Sequence, residues 1–320
     1  MSWRPSATPA TLRLRADALR SAREFFAERQ VMEVDTPALV RHAVTDVNIH
    51  AAQVSLPGSA LSLYLHTSPE YAMKRLLAAG SGDIYQIAHV FRGDESSRLH
   101  NAEFTLIEWY RCGFGMSQLM QEVAALVTRL LGGGATAPFI ELSYEQAFRQ
   151  ALGCDPLQTD EEQLRTLAIE HRLDAPLAQR CNRDELLDWL MGSIVGPGLG
   201  VDGLCFVHRY PLSQAALARV DPANPQLALR FELYRQGVEL ANGFEELANP
   251  VEQRSRFEAD RRERARRGLP APEIDQALLD ALAEGLPPVS GVALGFDRVL
   301  MQRIGAGAIS EVLPFPLDRA

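Results

Sequence analysis

A chain of 320 residues with 47% apolar side chains has material for a substantial buried core, in one large domain or two small ones. Its formal charge of −9 excludes a global basic field able to gather a polyanion. No early run joins basic residues to an uninterrupted apolar core, and no later segment reaches the apolar length of a bilayer span, so a soluble cytoplasmic protein is expected. Cys112, Cys154, Cys181 and Cys205 have no CxxC spacing, which argues against a zinc site or a disulfide framework.

In chain order, residues 11–30 show helical spacing through Leu12, Leu14, Ala18, Ala22, Phe25 and Phe26, and run into a strand from Val31 that Thr36-Pro37 stops. A strand over 61–65 precedes a helix with Ser68 as N-cap, Pro69 at its first position and Gly80 past its end. Glu70 sits in the first turn, where the helix dipole favours an anion.

Residues 90–111 read as two strands and a polar loop. Alternation on the second strand puts Phe104, Leu106, Glu108 and Tyr110 on one face and Thr105, Ile107 and Trp109 on the other. Arg92 ends the first strand, and the loop from Gly93 to Leu99 carries Asp94, Glu95 and Arg98, too polar to pack and too long for a minimal turn. Taken alone, these residues fit either an amphipathic hairpin with an Arg92–Glu108 ion pair or a binding edge.

Residues 117–131 form an amphipathic helix ended by Gly132-Gly133-Gly134. Residues 143–194 read as three short helices, an insertion before strands resume at 203, and His208 near a strand end reads as structural. From Ala228 two strands are joined near Gln236-Gly237. Glu232 on one and Glu239 on the next suit a hard cation such as Mg2+, which takes oxygen ligands. Leu240, Asn242, Phe244 and Glu246 share a parity, which groups an amide, a ring and a carboxylate. The mixed-charge run 254–267 reads as a solvated helix ended by Gly268 and Pro270. Finally, residues 291–305 give a Gly-rich strand entering a helix with Asp297 and Arg298 in its first turn. An arginine there opposes the dipole and points to a polyphosphate partner.

Three of these stretches, in order, resemble the motifs of the class II aminoacyl-tRNA synthetases. The 11–37 helix and strand is similar to motif 1, Arg92 with His100-Asn101-x-Glu103-Phe104-Thr105-x-x-Glu108 to motif 2, and Gly291-x-Ala293-x-Gly295-x-Asp297-Arg298 to motif 3. The wording is that of the lysine branch, as are Ser68-Pro69-Glu70 followed by Lys74-Arg75-Leu76, and Glu239-x-x-Asn242-Gly243-Phe244-x-Glu246. The resemblance implies an α+β fold, a class II synthetase-like antiparallel sheet flanked by helices, as one catalytic domain over residues 1–320 with a helical insertion at about 143–200. It implies ATP and Mg2+ as cofactors and a homodimer through motif 1.

Residue by residue, the resemblance assigns Arg92 to the α-phosphate, Arg298 to the γ-phosphate and Phe104 to adenine, with Gly93, Asp94, Asn101, Glu239, Leu240 and Gly295 completing the nucleotide site. Glu232 and Glu239 take the metal. Ser68, Pro69, Glu70, Glu108, Tyr110, Asn242, Phe244, Glu246 and Ala293 form the amino-acid pocket.

The motif 1 helix begins within about a dozen residues of Met1, too few for the OB-type anticodon-binding barrel of lysyl-tRNA synthetases. A chain of this kind, down to its ending Leu317-Asp318-Arg319-Ala320, resembles the elongation factor P lysine ligases. That resemblance implies elongation factor P as protein substrate and lysine or (R)-β-lysine as the amino acid. Two other readings are a minimal lysyl-tRNA synthetase charging tRNA and a non-catalytic paralogue acting as a sensor; the retained Arg92 and Arg298 weigh against the second.

Two departures carry information. Ala293 replaces a motif 3 glycine, and one methyl group at a pocket wall, worth on the order of 1 to 3 kcal/mol, biases the pocket toward a β-amino acid. Arg92-Gly93-Asp94 replaces the usual Arg-Asn-Glu, which leaves the α-phosphate contact better supported than adenine recognition by Asp94.

Overall fold

The computed structural model describes residues 3–58, 61–93 and 96–320. It divides into two compact units, one formed by residues up to Thr136 together with Glu246–Ala320, the other by Ala137–Glu245.

In the first unit the strand Ile84–Phe91 and the strand Glu103–Cys112 form an antiparallel hairpin, and Val289–Gly295 lies antiparallel on the far side of Glu103–Cys112. Only Met32–Glu33 of the expected motif 1 strand pairs, parallel to Ile84–Phe91, before Pro37, which has no N–H for a ladder. The Thr105, Ile107 and Trp109 face is apolar and covered by helices. Phe26 of the helix Pro9–Ala27 stacks on Tyr85 at 4.2 Å and meets Trp109 edge-on at 5.4 Å. Trp109 also donates its indole N–H to Glu122 of the helix Met116–Leu130 at 3.1 Å. With that side closed, Phe104, Leu106, Glu108 and Tyr110 are left on the opposite face of the sheet.

The helix Glu70–Ala78 begins one residue later than expected, with Pro69 at the N-cap, and packs on the helix Gln276–Gly285. The mixed-charge helix, Pro250–Arg266, is less solvated than its composition suggests. Arg264 is buried and donates to the carbonyl oxygens of Asp46, Ile49 and Pro270, while Asp260 accepts from Thr45 at 2.8 Å. The helix thereby fixes the segment that follows motif 1.

In the second unit the strand order is Val238–Glu245, Asn224–Arg235, Leu204–Pro211, Phe139–Ser143, the last pair parallel and the others antiparallel. The hairpin turn falls at Gln236 and Gly237, with φ of 50° and 71°, the twisted two-residue turn that right-handed strands prefer. The insertion has four α-helices rather than three helices, Tyr144–Leu152, Glu161–Glu170, Ala175–Ala178 and Arg183–Leu190, the last continued by a π-helical turn at Met191–Val195. Ser143–Gln146, Asp160–Gln163 and Asn182–Glu185 each form a reciprocal cap, so the boundaries follow the sequence closely. Phe148, Leu164, Leu186, Leu187 and Leu190 fill its core.

The fold is therefore α+β, with mixed rather than wholly antiparallel strands. Among the described residues no helix is long and apolar enough to cross a membrane, and the four cysteines are free thiols.

Candidate active site

Motifs 2 and 3 are locked together by Asp297, a carboxylate 1% exposed in the first turn of the helix Phe296–Ile304. Its Oδ2 accepts the Thr105 amide hydrogen at 2.7 Å, and its Oδ1 accepts from Arg15, which also donates to Thr105 Oγ1 at 2.7 Å. One residue on, Arg298 donates to His100 Nε2, and His100 Nδ1 is bonded to Ser97 Oγ at 2.7 Å. With Nε2 accepting, the imidazole proton belongs on Nδ1 and Ser97 receives it. Arg298 is thus held at a helix N-terminus, beside the returning end of the motif 2 loop.

On the hairpin, the Arg92 guanidinium stands 5.2 Å from the centre of the Phe104 ring. Phe104 and Ala293 pack against Ala88, Val90 and Leu106. Gly93 donates its N–H to His50 O at 2.7 Å. Asn101 donates to Glu103 O at 2.7 Å and accepts the Leu317 N–H at 3.1 Å, so its amide ties the hairpin to the C-terminal segment. Gly295 ends its strand opposite Leu106. Asp94 lies outside the described residues. Two guanidinium groups, a helix N-terminus and an open ring make a donor set for a polyanion bearing a planar base.

Farther along the same sheet face, Gly291 is paired with Tyr110 and Ala293 with Glu108. Glu108, 2% exposed, accepts from Tyr110 at 2.8 Å and from Ser68 at 2.7 Å, and Ser68 Oγ also takes the Glu70 amide hydrogen at 3.0 Å. The Arg92–Glu108 alternative gives way here, since both Glu108 oxygens are engaged by hydroxyls. Glu246, whose N–H donates to Val289 O at 3.0 Å, brings a second buried carboxylate. Lys74 lies between acids, 2.7 Å from Glu70 Oε1 and 2.6 Å from Glu246 Oε2.

Burial, with the Glu70 charge behind it, pushes Glu108 up to about 7 against the opposing hydroxyls of Ser68 and Tyr110. Burial likewise raises Glu246 to about 8, with Lys74 opposing and Glu70 and Glu108 assisting. Burial and the neighbouring Glu108 hold Tyr110 well above the usual phenol range. Three carboxyl groups and one ammonium, clustered where Glu108, Glu246 and Lys74 are buried, suit a ligand that carries ammonium groups of its own.

In the second unit, the expected alternation of Leu240 with Asn242 and Phe244 is interrupted by a bulge. Glu232 is paired with Asn242, Leu233 with Ala241, and Tyr234 with Glu239, so Leu240 is the extra residue. The turn register already sets Glu239, paired with Tyr234, on the face of Glu232, and the bulge brings Asn242 and Phe244 to that same face. Glu232 accepts from Tyr234 at 2.6 Å and from Arg230, whose guanidinium is kept charged against its burial chiefly by Glu232. Asn242 Oδ1 is buried with no hydrogen-bond partner among the described residues. Two acidic side chains and a spare amide oxygen on one face are chemically suited to Mg2+, which keeps several waters and takes one or two carboxylates. His208, half-buried with its pKa lowered by burial and by Arg209, adds no ligand to this face.

Four residues in the site had no role in the sequence reading: Lys74, His100, Arg15 and Gly291. Glu70 and Lys74 four apart on a helix are a readable signal. The other three depend on contacts between distant segments.

A family model for class II tRNA synthetases (D, K and N) matches residues 1–319. The elongation factor P–(R)-beta-lysine ligase of Erwinia tasmaniensis is 49% identical to this chain, over 99% of it and 98% of the relative. The proteins of that name from Edwardsiella ictaluri and Hamiltonella defensa are 47% and 46% identical over 100% of this chain and 98% of their own lengths. The chain belongs to the class II tRNA synthetases of the D, K and N type and, among them, to the family of the elongation factor P–(R)-beta-lysine ligases.

Proposed function

We propose that this chain is a ligase that activates (R)-β-lysine with ATP and transfers the β-lysyl group to a lysine side chain of elongation factor P. The observation that carries this reading is the set of Glu70 with the buried Glu108 and Glu246, in the same unit as the two motif arginines, in a chain 45–49% identical to relatives named for that ligation. The family match over residues 1–319 supports treating both units as one catalytic domain with a helical insertion. A cytoplasmic location and a homodimer through motif 1 belong to the same proposal.

Two half-reactions follow. A carboxylate oxygen of the amino acid attacks the α-phosphorus of ATP, and pyrophosphate leaves with the cleaved P–O bond. The ε-amine of the acceptor lysine, arriving deprotonated, then attacks the mixed anhydride, an amide bond forms, AMP leaves and one proton is released. The protein supplies position and charge rather than covalent chemistry. Arg92 takes the α-phosphate, Arg298 the γ-phosphate with His100 orienting it, and Phe104 stacks on adenine between Asn101, Gly93 and Gly295. Glu232 and Glu239 would hold Mg2+, which would supply neutralising positive charge when bound. Glu70 at one end, and Glu108, Tyr110 and Glu246 at the other, hold the two ammonium groups, and the resemblance to the lysine enzymes adds Asn242 and Phe244 to the amino-acid contacts. Ala293, paired with Glu108, is the wall that favours the β-amino acid.

Pyrophosphate exchange with (R)-β-lysine tests the reading. Arg92→Ala should abolish exchange in a folded protein, and Glu246→Ala should weaken the amino acid far more than ATP. Full exchange in Arg92→Ala, or equal losses for both substrates in Glu246→Ala, would contradict it.

A further inference from the structure

Three of the four charged side chains in the amino-acid pocket have a partner role in the proposed reaction; Lys74 has none. It is 1% exposed, on the second turn of the helix Glu70–Ala78, and its ammonium contacts Glu70 Oε1 at 2.7 Å and Glu246 Oε2 at 2.6 Å. Burial alone would discharge a lysine here, but Glu246 and Glu70 outweigh it and raise its pKa. A structural ion pair needs one carboxylate. Here one ammonium contacts Glu70 and Glu246 and also acts on Glu108, which Ser68 ties to the Glu70 backbone. Asp280 and Glu284, on the helix Gln276–Gly285 packed against this one, are exposed to solvent.

With every group ionised the pocket carries two negative charges in excess. An unliganded interior gains nothing from that excess, since buried uncompensated charge is costly. An amino acid with two ammonium groups supplies the balance.

We propose that Lys74 is a positioning and charge-setting residue of this pocket: it pins Glu70 and Glu246 from within, leaving Glu70 Oε2 and Glu246 Oε1 to the substrate, and it sets the charge that a diammonium amino acid neutralises. The proposal rests on the pocket reading above. It makes the ionised state of the glutamates, and hence the pH dependence of amino-acid binding, a property of Lys74.

The test is calorimetric binding of (R)-β-lysine to the full-length protein from about pH 6 to about pH 9, for wild type, Lys74→Met and Lys74→Arg. Lys74→Met should move the binding midpoint up by about one pH unit and weaken binding at neutral pH about tenfold, with ATP affinity unchanged. Lys74→Arg, which keeps the charge, should keep the wild-type midpoint. If Lys74→Met does not fold, Lys74→Gln carries the same comparison. An unshifted midpoint in the neutral variants overturns the role of Lys74. Absence of diamino-acid binding in the wild type overturns the pocket reading instead.

Discussion

Gly291 faces Tyr110 so closely that a β-carbon on it would stand 2.3 Å from the Tyr110 ring, and 2.5 Å from Glu246 Oε1. The glycine is required by space, because its backbone occupies an ordinary strand position. Gly291→Ala must therefore displace the ring or the carboxylate. The expected outcome is a rise of about tenfold or more in the KM for the amino acid, with the KM for ATP unchanged, read by pyrophosphate exchange. Parallel losses for both substrates would show that Gly291 serves the sheet and not the pocket.

Asp297 links the first helix, motif 2 and motif 3 with one buried carboxylate. Asp297→Ala leaves the Arg15 guanidinium and the Thr105 amide hydrogen without their acceptor. Urea denaturation should show a loss of about 3 kcal/mol, a figure that follows from stranding a buried charge. Asp297→Asn keeps one acceptor and should lose less.

The contrast between Asp297 and Glu232 shows how far the sequence reaches. Motif order, the alternation of residues 103–112 and the caps at Ser143, Asp160 and Asn182 are local signals, and the elements they indicate are present. The face that carries Asn242 and Phe244 depends on a single bulged residue, Leu240, and strand alternation cannot reveal an insertion of one. The mixed-charge helix is solvated along most of its length, and its exception is not a local signal. Arg264 looks like a solvated arginine until the loop at Asp46–Ile49 presents carbonyl oxygens to it. Lys74 was within reach, four residues after Glu70, but its second partner lies in a segment far along the chain.

Glu108 and Glu246, raised to about 7 and about 8, are partly protonated at neutral pH in the empty pocket. A diammonium ligand favours their ionised forms, so binding releases protons. Amino-acid affinity should strengthen as pH rises through about 7 to about 8 and level off above. Calorimetry in buffers of different ionisation enthalpy reads the protons directly. Stability without ligand runs the other way: folded pKa values raised above the ordinary 4.5 give stability that is fullest below about 4.5, declines as pH rises, and is lost once pH has passed through the folded values of about 7 and about 8. A pH-independent affinity with no proton release would show that these carboxyl groups do not meet the ligand.

Glu239, paired with Tyr234, shares the face of Glu232, and both are proposed to hold Mg2+. Glu239→Gln should raise the Mg2+ concentration for half-maximal exchange about tenfold, with the amino-acid KM unchanged. An unaltered Mg2+ requirement would remove Glu239 from the metal site.

The most direct measurement is the intact mass of purified elongation factor P after incubation with this protein, ATP, Mg2+ and either (R)-β-lysine or lysine, with tRNA as a parallel acceptor. The account predicts elongation factor P heavier by one lysyl residue, faster with (R)-β-lysine, and tRNA uncharged. An unchanged mass with tRNA charged by lysine, or no product on either acceptor, would contradict it.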